Sequence, residues 1–413
     1  MRIIISFLLL AGSASAESPA ESLQALIQHA YKNSPEIKAA RARWQAAIER
    51  YPQATSLPDP MLAYGYFASS VETRVGPQRH RIGLKQTLPW PGKRKLKGDI
   101  VRSDIEIARL RYEAAVRDVI VALKVAVSEL QYLNAAVRLT QQQQRLLAET
   151  EKLATNEYAE NKATLQDLLR AQSQSAQLTY DLINLSEQTE AQVTRINALL
   201  DRDPEAALEL NGAAIDSRVT SPIETLYEQA LQNRQEILLA RQLEQRSDRA
   251  VKLAEKQSRP DVTLDLLYIE TGSALNTQQD DGKDPVIIGM AINVPIWGSR
   301  NRARVHEAMH GRRAAAFSTR ALENRTRAGI KVTWLKLENA RRLIVLYRDR
   351  LIPHARKSTE LAETLTRDTG STLKQYLETQ SIWLNFNLAY QRALADRAIH
   401  HAKLEQLTGG TVK

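Results

Sequence analysis

The chain contains no cysteine. Disulfides, thiolate metal sites and cysteine catalysis are thereby excluded, and a lipid-anchored N-terminus, which needs a cysteine just after cleavage, is not expected. Methionine is almost as scarce. Beyond Met1 there are Met61, Met290 and Met309, which do not cluster, so a methionine-rich copper relay is absent. A phosphate-cradling glycine loop and a nucleophile elbow are missing too. The sequence therefore offers no active site. After the first residues no stretch stays apolar for the ~20 residues that a membrane-spanning helix requires. A route into a membrane is left only to strands closed into a barrel. Proline and glycine are both absent between Gly98 and Pro204, and a hundred residues without a breaker predict very long helices.

The N-terminus reads as a removable export signal. Arg2 is the charged start, Ile3 to Leu10 the apolar core, and Ala14-Ser15-Ala16 the small-residue cleavage site. The formal net charge is +10, and losing Arg2 with the signal leaves +9. Such a balance raises a nucleic-acid partner. Yet the basic residues are mixed with acids along helical stretches, and only Lys93-Arg-Lys95-Leu-Lys97 is dense. Solvated helix faces and one basic corner explain the charge, so no nucleic-acid partner is expected.

The rest is organised around one corner that occurs twice: Gln86-Thr-Leu-Pro-Trp-Pro-Gly-Lys93 and Ile292-Asn-Val-Pro-Ile-Trp-Gly-Ser299. In each, proline ends a strand because it lacks the ladder donor, and glycine permits a sharp turn. Trp90 and Trp297 place amphipathic rings there, of the kind found at membrane–water boundaries. Other segments repeat as well. Ala30, Asn33, Glu36, Ile37, Ala40 and Arg41 recur, displaced by 200, as Ala230, Asn233, Glu236, Ile237, Ala240 and Arg241. Thr164-Leu165, Leu169 and Gln172-Ser173 recur, displaced by 208, as Thr372-Leu373, Leu377 and Gln380-Ser381. These matches fall in the same order, which predicts an internal duplication. The signal covers 1–16, the first repeat 17–200, a polar linker 201–221 and the second repeat 222–410.

Within each repeat two strands precede the corner, at about 61–68 and 80–88, then 262–270 and 286–294. Val262, Leu264, Leu266 and Tyr268 alternate with Thr263, Asp265, Leu267 and Ile269; Val286, Ile288, Met290 and Ile292 alternate with Ile287, Gly289 and Ala291. A period of two gives each strand two distinct faces. The more aliphatic face suits lipid and the other a watery lumen. Polar loops at 69–78 and 272–283 join the strands. Residues 22–50 read as helix, and helical spacing continues from Gly98 to about Leu200, with a bend near 157–164. The two antiparallel helices would measure roughly 90 and 60 Å. Pro353 predicts a kink in the second copy. Four strands cannot close a useful barrel, and bilayers do not tolerate unpaired backbone, so several chains must contribute.

The duplicated layout, the Leu-Pro-Trp-Pro-Gly-Lys corner and the Thr-Leu-x-x-x-Leu-x-x-Gln-Ser bends resemble TolC-type outer-membrane efflux proteins over roughly residues 22 to 410. The corner wording is closest to the heavy-metal branch, the copper/silver and cobalt–zinc–cadmium exporters. The resemblance implies a mostly α fold with a small transmembrane β part. It implies a homotrimer whose twelve-stranded β-barrel, four strands per chain, sits in outer-membrane lipid and continues into a long α-helical periplasmic barrel. It also implies a periplasmic adaptor and an inner-membrane proton-driven pump as partners, and a passive exit duct with no enzymatic activity and no cofactor. Asp167, Asp368, Gln375 and Glu378 fall at the implied periplasmic entrance. Gln375 departs from the acid that family members carry there.

His306 and His310 stand at i, i+4, a spacing able to hold zinc, but without the catalytic His-Glu-x-x-His pattern. A solvated helical pair explains them, and no metal site is expected. A soluble periplasmic helical adaptor or scaffold is the alternative reading of the whole chain. The alternating strands and the corner tryptophans favour the duct.

Overall fold

The computed structural model describes residues 21–160, 163–211, 221–275, 280–369 and 373–412, apart from the side chains of 366–369. The leader expected at 1–16, part of the linker 201–221 and the side chain of Asp368 lie outside the described residues. The first half comprises α1 (Leu23–Asn33), α2 (Pro35–Ile48), α3 (Arg50–Thr55), β1 (Met61–Tyr66), β2 (Gln78–Leu88), α4 (Lys93–Ala159) and α5 (Leu165–Leu200). The second half comprises α6 (Ile223–Asn233), α7 (Gln235–Lys256), β3 (Val262–Thr271), β4 (Val286–Ile292), α8 (Gly298–Leu346), α9 (Ile352–Thr369) and α10 (Leu373–Thr408). The element order repeats, and so does the burial of the matched positions. Leu26 and Leu226 are both fully buried, as are Ala30 and Ala230, and Ile37 and Ile237.

Two sequence expectations are refined by local chemistry. The helix over 22–50 breaks at Ser34, which adopts ψ 123, because the ring of Pro35 disfavours helical backbone in the residue before it. The same break occurs at Arg234, with ψ 119 and no proline behind it. Pro353 is accommodated by a π-helical stretch at Tyr347–Leu351 immediately before it. A proline has no N–H to give the preceding turn, and a widened turn relieves the clash of its ring.

One expectation is corrected. α4 does contain a stretch long and apolar enough to cross a membrane, although more than half of that stretch is buried. Its internal charges explain why it is a packed helix. Lys124 Nζ donates to Glu405 at 2.5 Å, and Glu129 accepts two hydrogen bonds from Arg392 at 2.7 and 2.9 Å. Arg392 also binds Asp396 and lies 4.7 Å from the Tyr132 ring.

The chain divides into two compact units, each drawing segments from both halves. One unites the described residues within 21–37, 116–226 and 330–412. Its core includes Leu123, Leu130, Ile196, Leu200, Leu377 and Leu404, all essentially inaccessible. Fully burying a leucine stabilises by about 1.5–3 kcal/mol, so this stripe secures the long helices. The other unites residues 38–115 and 227–329 and contains the sheet, ordered β1-β2-β3-β4 with every neighbour antiparallel. The central β2–β3 pairing joins the two halves, with Leu84 opposite Leu266 and Leu88 opposite Val262.

Within the second unit a polar lock holds the first corner. Lys93 Nζ, 8% exposed, donates to Asp261 Oδ1 at 2.8 Å and to the Arg259 carbonyl at 2.7 Å. The Trp90 backbone N–H donates to the same carboxylate oxygen at 2.7 Å. Arg94 adds two hydrogen bonds to the Thr55 carbonyl, at 2.9 and 2.6 Å. Burial works against the Asp261 charge, but the Lys93 ammonium and the Trp90 N–H outweigh it and hold its pKa below the usual carboxylate value. A lowered folded-state pKa stabilises above the unfolded aspartate range and loses that contribution as pH falls through the folded value. Lys93→Ala should destabilise this unit by about 2 kcal/mol, since charge-assisted hydrogen bonds contribute about 1.5–3. Thermal unfolding at pH 7 measures it. Asp261→Asn should lower stability at pH 7 and flatten its loss below about pH 4; an acid limb identical to wild type would contradict the assignment.

Candidate functional site

The candidate site is the sheet together with the bends of the long helices, each taken within its own unit. Strand pairing fixes which residues share a face. Leu62, Leu84, Leu266 and Ile288 stand in one row, and Tyr64, Ile82, Tyr268 and Val286 in the next. This face is apolar and open, with Leu62 at 72% and Ile288 at 84% exposure. It continues through Val294 and Ile296 to Trp297, all exposed. Contiguous apolar surface of this kind marks contact with a membrane or a partner.

The opposite face carries the charges. Lys85 is the register partner of Asp265, and Arg81 that of Gly65. Glycines make room for them: a Cβ at Gly65 would collide with the Arg81 side chain, and one at Gly289 with the Asp265 carboxylate. Thr87 and Thr263 hydroxyls meet at 3.2 Å. A sheet with one bare apolar face and one hydrated, charged face is the pattern of a barrel wall lining a watery lumen.

Both ends of the apolar face carry aromatic rings. Trp90 and Trp297 lie at the helix end, Trp90 half-buried and Trp297 exposed. At the loop end the His80 ring lies 5.1 Å from Tyr66 and 5.8 Å from Tyr64, and Tyr64 Oη is 2.8 Å from His80 Nδ1. Tyr268 donates to Asp284 there. The two loops are tied to each other by the Gly272 N–H to the Pro77 carbonyl and the Gly282 N–H to the Val75 carbonyl, each at 2.8 Å. This second aromatic group escaped sequence reasoning. Its residues are scattered over three strands, and only the register gathers them.

At the bends the entrance residues take different roles. Asp167 closes a capping box. Thr164 Oγ1 accepts from the Asp167 N–H at 3.2 Å, and the Asp167 carboxylate accepts from the Thr164 hydroxyl at 2.6 Å and its N–H at 3.3 Å. The three-residue spacing Thr164…Asp167 is the sequence signal for such a cap. Glu378 is exposed and its carboxylate lies 3.6 Å from Arg170. That distance makes an ion pair and no hydrogen bond, so it contributes at most about 1 kcal/mol. Gln375 is exposed on the first turn of α10. The structure thus joins α5 to α10 through Arg170 and Glu378, and gives Asp167 to its own helix. His306 and His310 are exposed on α8. Beneath the bend, Leu147, Ala154, Ala171, Leu178, Leu373 and Leu377 form one buried cluster. Asp167→Ala should cost about 1 kcal/mol, the usual value of a cap. Amide exchange at Asp167 and Leu168 should speed up about fivefold, and unchanged exchange would contradict the capping role.

Residues 26–202 match the outer membrane efflux protein family. No curated relative matches the sequence. The fold is that of the outer membrane protein VceC from Vibrio cholerae, at TM-score 0.79 and 22% identity, covering 95% of this chain and 97% of that one. CusC is similar at TM-score 0.81 and 14% identity, covering 94% and 92%. The open state of the MtrE outer membrane channel of Neisseria gonorrhoeae gives TM-score 0.76 and 14% identity, covering 95% and 89%. The described chain therefore carries the fold of TolC-type outer membrane channels, and its residues 26–202 are similar to the outer membrane efflux protein family.

Proposed function

We propose that this protein is the passive outer-membrane duct of a tripartite efflux system. The observation that carries the reading is the sheet: its apolar face is exposed, and β1 and β4 each pair with only one strand among the described residues, leaving their outer edges open. Such edges are tolerated in a bilayer only when closed. Three copies supply twelve strands, seal every edge and keep the face with Arg81, Lys85 and Asp265 toward water. Mature chains, freed of residues 1–16, then act as one unit built from repeats 17–200 and 222–410 joined by 201–221. The helices stand in the periplasm, where a periplasmic adaptor meets the bends and an inner-membrane proton-driven pump supplies the energy. Asp167, Asp368, Gln375 and Glu378 lie around the entrance, Glu378 restrained by Arg170. A heavy-metal cargo is suggested by the Leu88–Lys93 corner alone.

Fractionation and crosslinking test the duct. The expected outcome is recovery in the outer membrane and a crosslinked trimer in detergent. Recovery wholly in the soluble periplasm would favour the soluble adaptor or scaffold, and a stable single subunit in detergent would overturn barrel closure. Deleting the gene should raise sensitivity to copper, silver, zinc, cobalt or cadmium; sensitivity only to organic drugs would remove the metal assignment while leaving the duct.

A further inference from the structure

We propose that both strand-to-helix corners form a cationic collar that binds the headgroups of anionic phospholipids in the leaflet facing the helices. The inference rests on the membrane reading above and adds to it a lipid class and the residues that select it.

The helix starts at the corners are built against their own electrostatics. A helix N-terminus carries partial positive charge and favours acids. α2, α5, α6 and α7 follow that rule with Glu36, Asp167, Glu224 and Glu236 in their first turns. α4 and α8, which follow the strands, have no acid there, and neither do α1, α3, α9 and α10; what sets α4 and α8 apart is the basic residues at their starts. α4 places Lys93, Arg94 and Lys95 in its first turn, and α8 places Arg300 there with Arg302 just beyond it. Internal partners account for only part of this charge. Lys93 is bound by Asp261 and Arg94 by the Thr55 carbonyl. Lys95, Lys256, Arg300 and Arg302 are exposed and make no ion pair among the described residues.

Two of these cations are placed at the corners themselves, in matching fashion. Lys256 Nζ lies 3.9 Å from where a Cβ would stand on Gly92, and Arg302 Nη1 lies 3.7 Å from that of Gly298. Each cation therefore sits beside a corner glycine, Gly92 or Gly298, two residues and one residue after Trp90 and Trp297 in the chain. The apolar face of the sheet ends at that level, with Val294 and Ile296 exposed up to Trp297. Continuity decides the occupant. Acyl chains that cover the sheet bring their phosphates to the height of the tryptophans, where the unpaired cations are. A free phosphate ion would gain the charge without the acyl contact, so the surface selects a lipid. Basic residues at a membrane surface strengthen attachment to anionic lipid by about fivefold each.

The test uses the full-length protein purified in detergent and presented with phosphatidylglycerol or phosphatidylcholine, the retained lipids being counted by native mass spectrometry. Wild type should retain phosphatidylglycerol over phosphatidylcholine by about fivefold or more, less at high salt, and inorganic phosphate should not displace the lipid. The combined variant Lys95→Gln, Lys256→Gln, Arg300→Gln, Arg302→Gln should lose the preference. The charge-keeping set Lys95→Arg, Lys256→Arg, Arg300→Lys, Arg302→Lys should keep it. Equal retention of the two lipids by wild type, or an unchanged preference in the glutamine variant, would overturn the collar. Outer-membrane recovery of wild type, scored in parallel, separates that result from failure of the duct itself: a protein absent from the membrane fails the duct, and one present without lipid preference fails the collar alone.

Discussion

An unpaired peptide group in hydrocarbon costs several kcal/mol, and a four-stranded sheet has two edges of them. On the duct reading proposed above, the layout of the sheet answers that constraint. The β2–β3 pairing closes the junction between halves of the sequence inside one molecule. Among the described residues β1 and β4 each have a single neighbouring strand. A soluble protein would cover or charge such edges. Here the edge strands carry exposed Leu62, Tyr64, Ile288 and Met290, which suits neighbours and lipid and would be a liability in water.

The sheet must also be held at a fixed angle to the helices that leave it, and the first corner shows how. A proline follows β2, a glycine turns the chain, and one buried ammonium receives its carboxylate from the start of the neighbouring strand, β3. Gly92 takes the positive backbone angle this turn requires, φ 89, which a side chain would resist. Lys93 then reaches Asp261, a residue 168 positions away. Its partner is thus supplied by the second repeat, and the duplicated halves are bound to each other at the corner as well as along β2–β3. The second corner has Ser299 where the first has Lys93, so the lock is present once and the symmetry of the repeats is broken there.

The repeats diverge again at the bends. Leu169 is 53% exposed, whereas its counterpart Leu377 is 1% exposed. The same residue type in the same local sequence is surface in one copy and core in the other, because α10 packs against both α4 and α5 through one apolar cluster. The first bend is closed by the Thr164–Asp167 cap, and Arg170 reaches across to Glu378.

The sequence by itself determined the element types and the order in which they recur. Period-two alternation, breaker placement and a hundred residues without proline or glycine are local properties, and local backbone physics acts on them directly. It also determined the corners, since proline and glycine impose their geometry wherever they stand. Only the tertiary structure decided that Asp261 answers Lys93, that His80 gathers Tyr64 and Tyr66, and that Asp167 caps a helix while Glu378 meets Arg170. Those pairings depend on strand register and on which helices become neighbours, and both are set by burial summed over the whole chain, which no short stretch of sequence contains.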